Sequence, residues 1–133
     1  MARSTFPVEV LTPEGSVFAD EVEMVSTRTE TGSIGILAHH QPLLGLLSPT
    51  ELRLYRGEND YTRYAQGEGY VQVADGRVLL LVEEAHTPDE LDVADLREKL
   101  SKAESALSGA ESGTAEFERA ARDKRRWEAF IAV

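Results

Sequence analysis

Gly32-Ser33-Ile34-Gly35-Ile36-Leu37-Ala38-His39-His40-Gln41-Pro42-Leu43-Leu44-Gly45-Leu46-Leu47 is the stretch from which the fold can be read. Gly32 and Gly35 alternate with Ile34 and Ile36, so a short half-buried strand runs through positions where a missing side chain frees the backbone. Gly32 is expected to turn the chain, and Gly35 to allow a bulge or a close backbone approach. Pro42 fixes its own φ and pushes Gln41 toward extended conformations, which places Ala38-His39-His40-Gln41 on a loop. The apolar run Leu43 to Leu47 then reads as buried. A polar loop gripped on both sides by core-facing residues is stiff, and stiff exposed loops are where partners are met.

Working outward, residues 6 to 82 carry strand and turn signals and no helical period. Phe6, Val8 and Val10 alternate with Pro7 and Glu9, with Pro7 suited to a strand's edge or beginning. Thr12-Pro13-Glu14-Gly15 has turn chemistry, and Val17 to Val25 continues on period two with Val22 and Met24 set against Glu21 and Glu23. Thr27 to Thr31 reads as a polar link. Beyond Leu47, Leu52 and Leu54 alternate with Arg53 and Tyr55, and Arg56 to Asp60 forms a hairpin loop. Tyr61 to Gln66 returns, Gly67-Glu68-Gly69 turns, and Tyr70 to Val73 is followed by Asp75-Gly76, the strongest hairpin dipeptide in the chain, and then by Val78 to Val82. About eight to ten short strands with closely spaced turns predict an all-β sandwich over residues 1 to 86.

The period changes after residue 86. Thr87-Pro88-Asp89-Glu90 has the form of a capping box, and Asp92 with Asp95 offers a second helix start. Leu96, Leu100, Ala103 and Leu107 step by fours and threes along one face. Ser108 to Gly113 ends that helix and reverses the chain, and Thr114 caps a second one with Phe117, Ala120, Lys124, Trp127 and Ile131 on its seam. The fold class is therefore α+β, a sandwich followed by an antiparallel two-helix hairpin over residues 87 to 133. So narrow a seam buries little, and the hairpin is expected to be marginal alone, held by packing on the sandwich and releasable from it.

Composition excludes several function classes. The 133 residues include 24 acidic and 14 basic ones, and a net charge of −10 opposes binding to nucleic acid or anionic membrane by the main body. Positive charge gathers only near the end, at Arg119, Arg122, Lys124, Arg125 and Arg126. This cluster suits an acidic protein surface or phosphate, or equally a solvated helix face balanced by Glu116, Glu118, Asp123 and Glu128. Cysteine is absent, which removes thiol catalysis and thiolate metal sites. No run is long and apolar enough to span a bilayer, and no signal peptide opens the chain, so it is expected to be cytosolic without direct bilayer insertion. His39 and His40 are adjacent and point apart on extended backbone, and His86 is isolated, so no metal site is expected. Glu83-Glu84 at a strand end reads as a solvated turn, not a paired acid and base.

Gly-x-Ile-Gly-Ile-Leu from Gly32, followed by His-x-Pro-Leu-Leu from His40, closely resembles the epsilon subunit of the rotary, F-type, proton-translocating ATP synthase. Leu91-Asp92 matches the hydrophobic-Asp pair that opens the family's first helix. The resemblance implies a non-catalytic subunit of the rotor's central stalk. Its sandwich would contact the gamma subunit and the membrane-embedded c-ring and transmit torque, and its hairpin would reach the alpha and beta subunits and block ATP hydrolysis. It implies a peripheral place on the cytoplasmic face of the cell membrane. Loops Thr31, Gly32, Ser33, Ile34 and Ala38, His39, His40 to Pro42 match those that the family turns toward the ring. The regulatory hairpin would work through Arg119, Arg122, Lys124, Arg125, Arg126 and Trp127, with Trp127 read first as seam packing and second as a partner anchor.

Two departures stand out. Ala38-His39-His40 replaces the family's Pro-Gly-His, so His40 is the matching histidine and His39 stands where the glycine would be. Some members bind ATP through hydrophobic-Asp-x-x-Arg-Ala; here Leu91, Asp92, Val93, Ala94, Asp95, Leu96 puts an aspartate where arginine would meet phosphate. Leu91 and Asp92 are thus weak ATP-site candidates, Asp92 reads more simply as a helix N-cap, and no cofactor is expected. The rival reading of the whole chain is a free-standing protein-binding adaptor of the same build.

Overall fold

The computed structural model describes residues 3 to 133. Ten strands run in order: β1 Phe6–Thr12, β2 Gly15–Val22, β3 Met24–Thr29, β4 Gly32–Leu37, β5 Leu43–Leu47, β6 Thr50–Tyr55, β7 Tyr61–Gln66, β8 Gly69–Ala74, β9 Arg77–Val82 and β10 Ala85–His86. A 3₁₀ turn at Pro88–Glu90 leads into helices α1 (Val93–Gly109) and α2 (Ala115–Ile131). The sheet doubles back on itself. One half is ordered β10-β7-β6-β3-β4 and the other β5-β8-β9-β1-β2, and only the pair Thr29↔Leu47 joins β3 to β5. Strand β1 pairs antiparallel with β2 and parallel with β9, from Val8↔Val78 to Leu11↔Leu81. Pro7 faces only β2, just outside the β9 ladder, which suits a residue with no N–H.

Alternating residues of both halves fill the sandwich: Val8, Val10, Val25, Ile36, Leu54, Val71 and Leu80 are all 5% exposed or less. Asp75 and Gly76 both have positive φ, 53° and 75°, as a two-residue turn between twisted strands requires. Both helix starts read from the sequence are used. The Thr87 hydroxyl and N–H donate to Glu90 Oε1 at 2.9 and 3.2 Å, and Asp92 Oδ1 accepts from Asp95 N–H at 3.2 Å to open α1. Thr114 accepts from Phe117 N–H at 3.2 Å to open α2.

Four expectations are corrected. Val17 to Val25 is not one strand: the chain crosses from one half-sheet to the other at Glu23, whose N–H donates to Tyr55 O at 2.7 Å. The corner shifts the alternation, so Val22 and Val25 point inward and Met24 outward. Thr27 to Thr31 is not a link, because β3 runs to Thr29 with Thr27 and Thr29 buried and the Thr27 hydroxyl on Gln66 Oε1. Leu43 to Leu47 is not buried throughout: β5 has an inner and an outer face, and Leu44 is 74% exposed. Gly35 pairs in regular register with Ser26 and makes no close approach. The close approach falls at Gly69, where a Cβ would lie 1.9 Å from Leu81 O.

The hairpin lies on the outer face of the β6/β7 half. Its interface is a separate small cluster of buried Ala65, Leu96 and Phe130, with Leu91, Trp127, Ala129, Ile131 and Val133 packed around them. Within the hairpin, Ala103 and Ala120 are buried and Leu100, Leu107, Phe117 and Lys124 half-buried, which reproduces the expected seams.

Candidate functional site

The loops flagged in the sequence lie at opposite ends of β4. Thr31 is in the two-residue turn Glu30-Thr31, while Gly32, Ser33 and Ile34, expected on the loop, already belong to β4 opposite Thr29, Arg28 and Thr27. Gly32 does turn the chain, with φ 134°. Ser33 is exposed and Ile34 half-buried against the sandwich core. Ala38 to Pro42 follows at the far end, about 20 Å away at ~3.3 Å per residue. Among the described residues β4 pairs with β3 alone, so its free edge connects the two loops.

His39 has φ 65°. It therefore holds a left-handed backbone of the kind glycine takes most easily, at some strain that histidine bears better than most side chains. His40 Nδ1 lies 2.7 Å from Gln41 O, which turns its ring back onto the loop.

The open half-sheet, β5-β8-β9-β1-β2, has an uncovered outer face with an apolar band. Leu46 pairs with Tyr70 and Tyr70 with Leu81, and these are 43, 53 and 45% exposed, with Leu44 beside them. Leu11, Pro13 and Glu30 help line a shallow depression over the band. The sequence reading missed this face because it took Leu43 to Leu47 as a buried run, and Leu-Leu-Gly-Leu-Leu carries no alternation that would mark Leu44 and Leu46 as outward.

The third region is the junction between hairpin and sandwich. Arg126 Nη1 donates to Glu84 Oε2 at 2.9 Å and Nη2 to Asp123 Oδ1 at 3.2 Å, while its guanidinium lies 4.0 Å from the Trp127 ring centroid. Its buried Nε has no hydrogen-bond partner among the described residues. Arg122 Nε donates to Glu68 Oε1 at 3.1 Å, with Nη2 3.9 Å from Glu83. The hydrogen bond to Glu68 is the main cause that raises the Arg122 pKa above its ordinary value. Glu84 Oε1 is also 2.9 Å from His86 Nε2, and the His86 ring meets Phe130 edge-on at 5.9 Å. Glu84 is thus no solvated turn residue but the point where strand, helix and histidine meet. Gly67 leaves room for it, since a Cβ there would come within 2.9 Å of Glu84 Cγ.

The basic cluster is accordingly divided. Arg122 and Arg126 face the sandwich, Lys124 fills the seam, and Arg119 and Arg125 are exposed. Trp127 packs where its first reading put it, beside Phe130 and under Lys99 and Arg126. Phe130, 1% exposed, was missed in favour of Ile131. A helix packed on two neighbours needs a wider apolar arc than one seam, and Trp127, Phe130 and Ile131 together supplied it. Leu91 packs on the junction, Asp92 caps α1, and Asp95 pairs with Lys99 at 3.1 Å.

Residues 5 to 88 match the family model described as ATP synthase, Delta/Epsilon chain, beta-sandwich domain. An ATP synthase epsilon chain of Persephonella marina is 38% identical over 129 residues, 96% of this chain and 95% of that one. One from Halalkalibacterium halodurans is 36% identical over 122 residues, 92% and 91% of the two chains. This chain belongs to the ATP synthase epsilon-chain family. Among solved structures, a chain in an assembly of the Euglena gracilis mitochondrial ATP synthase superposes with TM-score 0.85 at 20% identity, over 99% of this chain and 82% of that one. A chain from the central stalk and c-ring of the Tetrahymena thermophila enzyme gives 0.65 at 17% identity, over 99% and 98%. Both share the fold, helices included. Among the described residues no helix is long and apolar enough to cross a membrane.

Proposed function

We propose that this chain is a non-catalytic central-stalk subunit of a rotary ATP synthase, whose sandwich couples the catalytic head to the c-ring and whose hairpin brakes ATP hydrolysis. The observation that carries the reading is full-length similarity to epsilon chains, joined to a sandwich with uncovered partner surfaces. The apolar band Leu44, Leu46, Tyr70 and Leu81 suits a large, permanent contact of the kind a gamma subunit would make, because exposed apolar and aromatic side chains aligned across three strands are otherwise a liability. The ring of c subunits would be met along the free edge of β4, a line that touches both Thr31 and Ala38 to Pro42. An end-on contact would reach only one of them.

The brake reading rests on how the hairpin is held. Three buried side chains, a rim of half-buried ones and two arginines fasten it, a small enough contact for it to lift from the sandwich and present Arg119, Arg122, Arg125 and Arg126 to the alpha and beta subunits. Nucleotide is not invoked, since Asp92 is engaged as a cap and Asp95, paired with Lys99, stands where the resembled ATP-binding signature has an arginine.

Co-purification with a tagged chain from its own cells tests the assembly. Recovery of a gamma subunit is expected, reduced by Leu46→Glu with Tyr70→Glu. Recovery of none, with an ATPase rate unchanged on add-back, returns the chain to the adaptor reading. Deleting residues 88 to 133 is expected to raise ATP hydrolysis in the assembled enzyme; an unchanged rate would confine the chain to coupling.

A further inference from the structure

The hairpin covers only part of the β6/β7 half-sheet, and the uncovered part differs in character from the rest of this acidic chain. Leu37, Met24, Tyr55 and Tyr61 are direct cross-strand neighbours on four successive strands, giving one apolar row on the outer face. Leu37 is 45% and Tyr61 38% exposed, and the rings of Tyr55 and Tyr61 meet at a 39° tilt with centroids 4.9 Å apart. In the next row Gly35, Ser26, Arg53 and Arg63 are neighbours in the same way, and Arg28 follows on β3. Of the side chains that β3, β4, β6 and β7 turn outward here, three are arginines and one, Glu51, is acidic, on a chain of net charge −10.

Arg53 is held in place. Its Nε donates to Glu51, its Nη1 lies 3.3 Å from the Tyr55 hydroxyl, and its guanidinium carbon sits 4.9 Å from the Tyr61 ring centroid. A guanidinium fixed on three sides loses little side-chain entropy when it meets a carboxylate. Glu51 also lies 3.8 Å from Arg63, so the face's single acid is already engaged by both arginines. The row is continuous with the hairpin's own seat at Ala65, on the same face of β7.

We propose that this face is a docking surface for an acidic polypeptide segment, with carboxylates on Arg53 and Arg63 and an apolar side chain along the Tyr55–Tyr61 row. Complementary charge selects the partner's sign, and the aromatic row supplies the anchor. The surface lies on the opposite side of the sandwich from the Leu44–Tyr70–Leu81 band, and the inference does not depend on the partners proposed above.

The test uses the full chain, isotope-labelled, titrated with a synthetic amphipathic peptide of glutamate and leucine and with its lysine-for-glutamate twin. Amide shifts are expected at Met24, Leu37, Arg53, Tyr55, Tyr61 and Arg63 with the acidic peptide alone. Binding should weaken about tenfold in the paired variant Arg53→Gln, Arg63→Gln and on raising salt to about 0.5 M. Unchanged shifts of Val25, Leu54 and Leu80 certify the fold of that variant; should they move, Tyr61→Ser, which keeps the arginines, decides by the same tenfold loss. Equal binding of the twin, shifts confined to the hairpin or the open half-sheet, or no binding at low salt would overturn the proposal. So would larger shifts at these residues with phosphatidylglycerol vesicles, which would assign the face to a membrane.

Discussion

The sandwich and the hairpin share one chain and one fastening principle, apolar burial, in very unequal amounts. Sixteen buried residues from both half-sheets form a single cluster in the sandwich, whereas the contact between hairpin and sandwich has three, Ala65, Leu96 and Phe130. A structure built this way has a part that unfolds only as a whole and a part that can leave without disturbing it. The hairpin's hold is therefore the quantity that changes in sign and size should reveal, and the sandwich is its internal control.

Leu80→Ala should give the largest effect, about 2 to 5 kcal/mol, because Leu80 is wholly buried in a central strand. Denaturant unfolding should show both regions shifting together; loss of the hairpin alone would break the comparison. Phe130→Ala should cost roughly 3 kcal/mol of docking, with hydrogen-exchange protection falling across residues 93 to 131 while the strands keep theirs. Equal loss in the strands would mean one cooperative unit. Arg126→Ala should cost about 1 to 2 kcal/mol of docking, since it removes the Glu84 contact and the stacking on Trp127 together. Arg122→Ala should cost less and vanish in high salt, because that pair is open to solvent.

His39→Gly sharpens the comparison from the other side. It should stabilise the sandwich by about 1 kcal/mol by relieving a left-handed residue, and leave hairpin protection unchanged. The smallest effect is expected from pH. The Glu90 carboxyl is held below its ordinary value of 4.5, first by the Thr87 hydroxyl and then by the Thr87 N–H. Its contribution is present above that ordinary value and fades as pH falls through the lowered one, so the joint at Thr87 should loosen only in acid. Arg122 shifts upward, so its contribution is complete at and below its ordinary value and is lost only in strong alkali. Across about pH 5 to 9 neither group changes its charge, so hydrogen-exchange protection at residues 87 to 92, taken relative to the intrinsic exchange rate at each pH, should not change on account of either.

What could be read beforehand was local and periodic. Asp75-Gly76, the two caps at Asp92 and Thr114, and the alternation of Phe6, Val8 and Val10 each depend on a few adjacent residues, and each is found where expected. What escaped depends on parts of the chain far apart. Glu23 looks like any outward residue until the second half-sheet forces a corner there, and Gly69 looks like an ordinary turn glycine until Leu81 lies against it. Glu84 became an anchor only once Arg126, 42 positions later, was laid beside it. At the loops, residue types were legible but placement was not: a six-residue strand stands between Thr31 and Ala38, and no local signal marks where a turn ends and its strand begins.

The parallel pairing of β1 with β9 has a consequence for how such a chain is made. As the ribosome releases it, residues 6 to 12 can zip onto their neighbour at 15 to 22 early, but their other flank waits for residues 77 to 82. Closing the barrel-like body is a late, long-range event, slow by comparison with local zippering. The helices emerge last, onto a seat in the other half-sheet, and a nascent chain stalled before residue 83 should carry the bare apolar flank of β1, which invites chaperones.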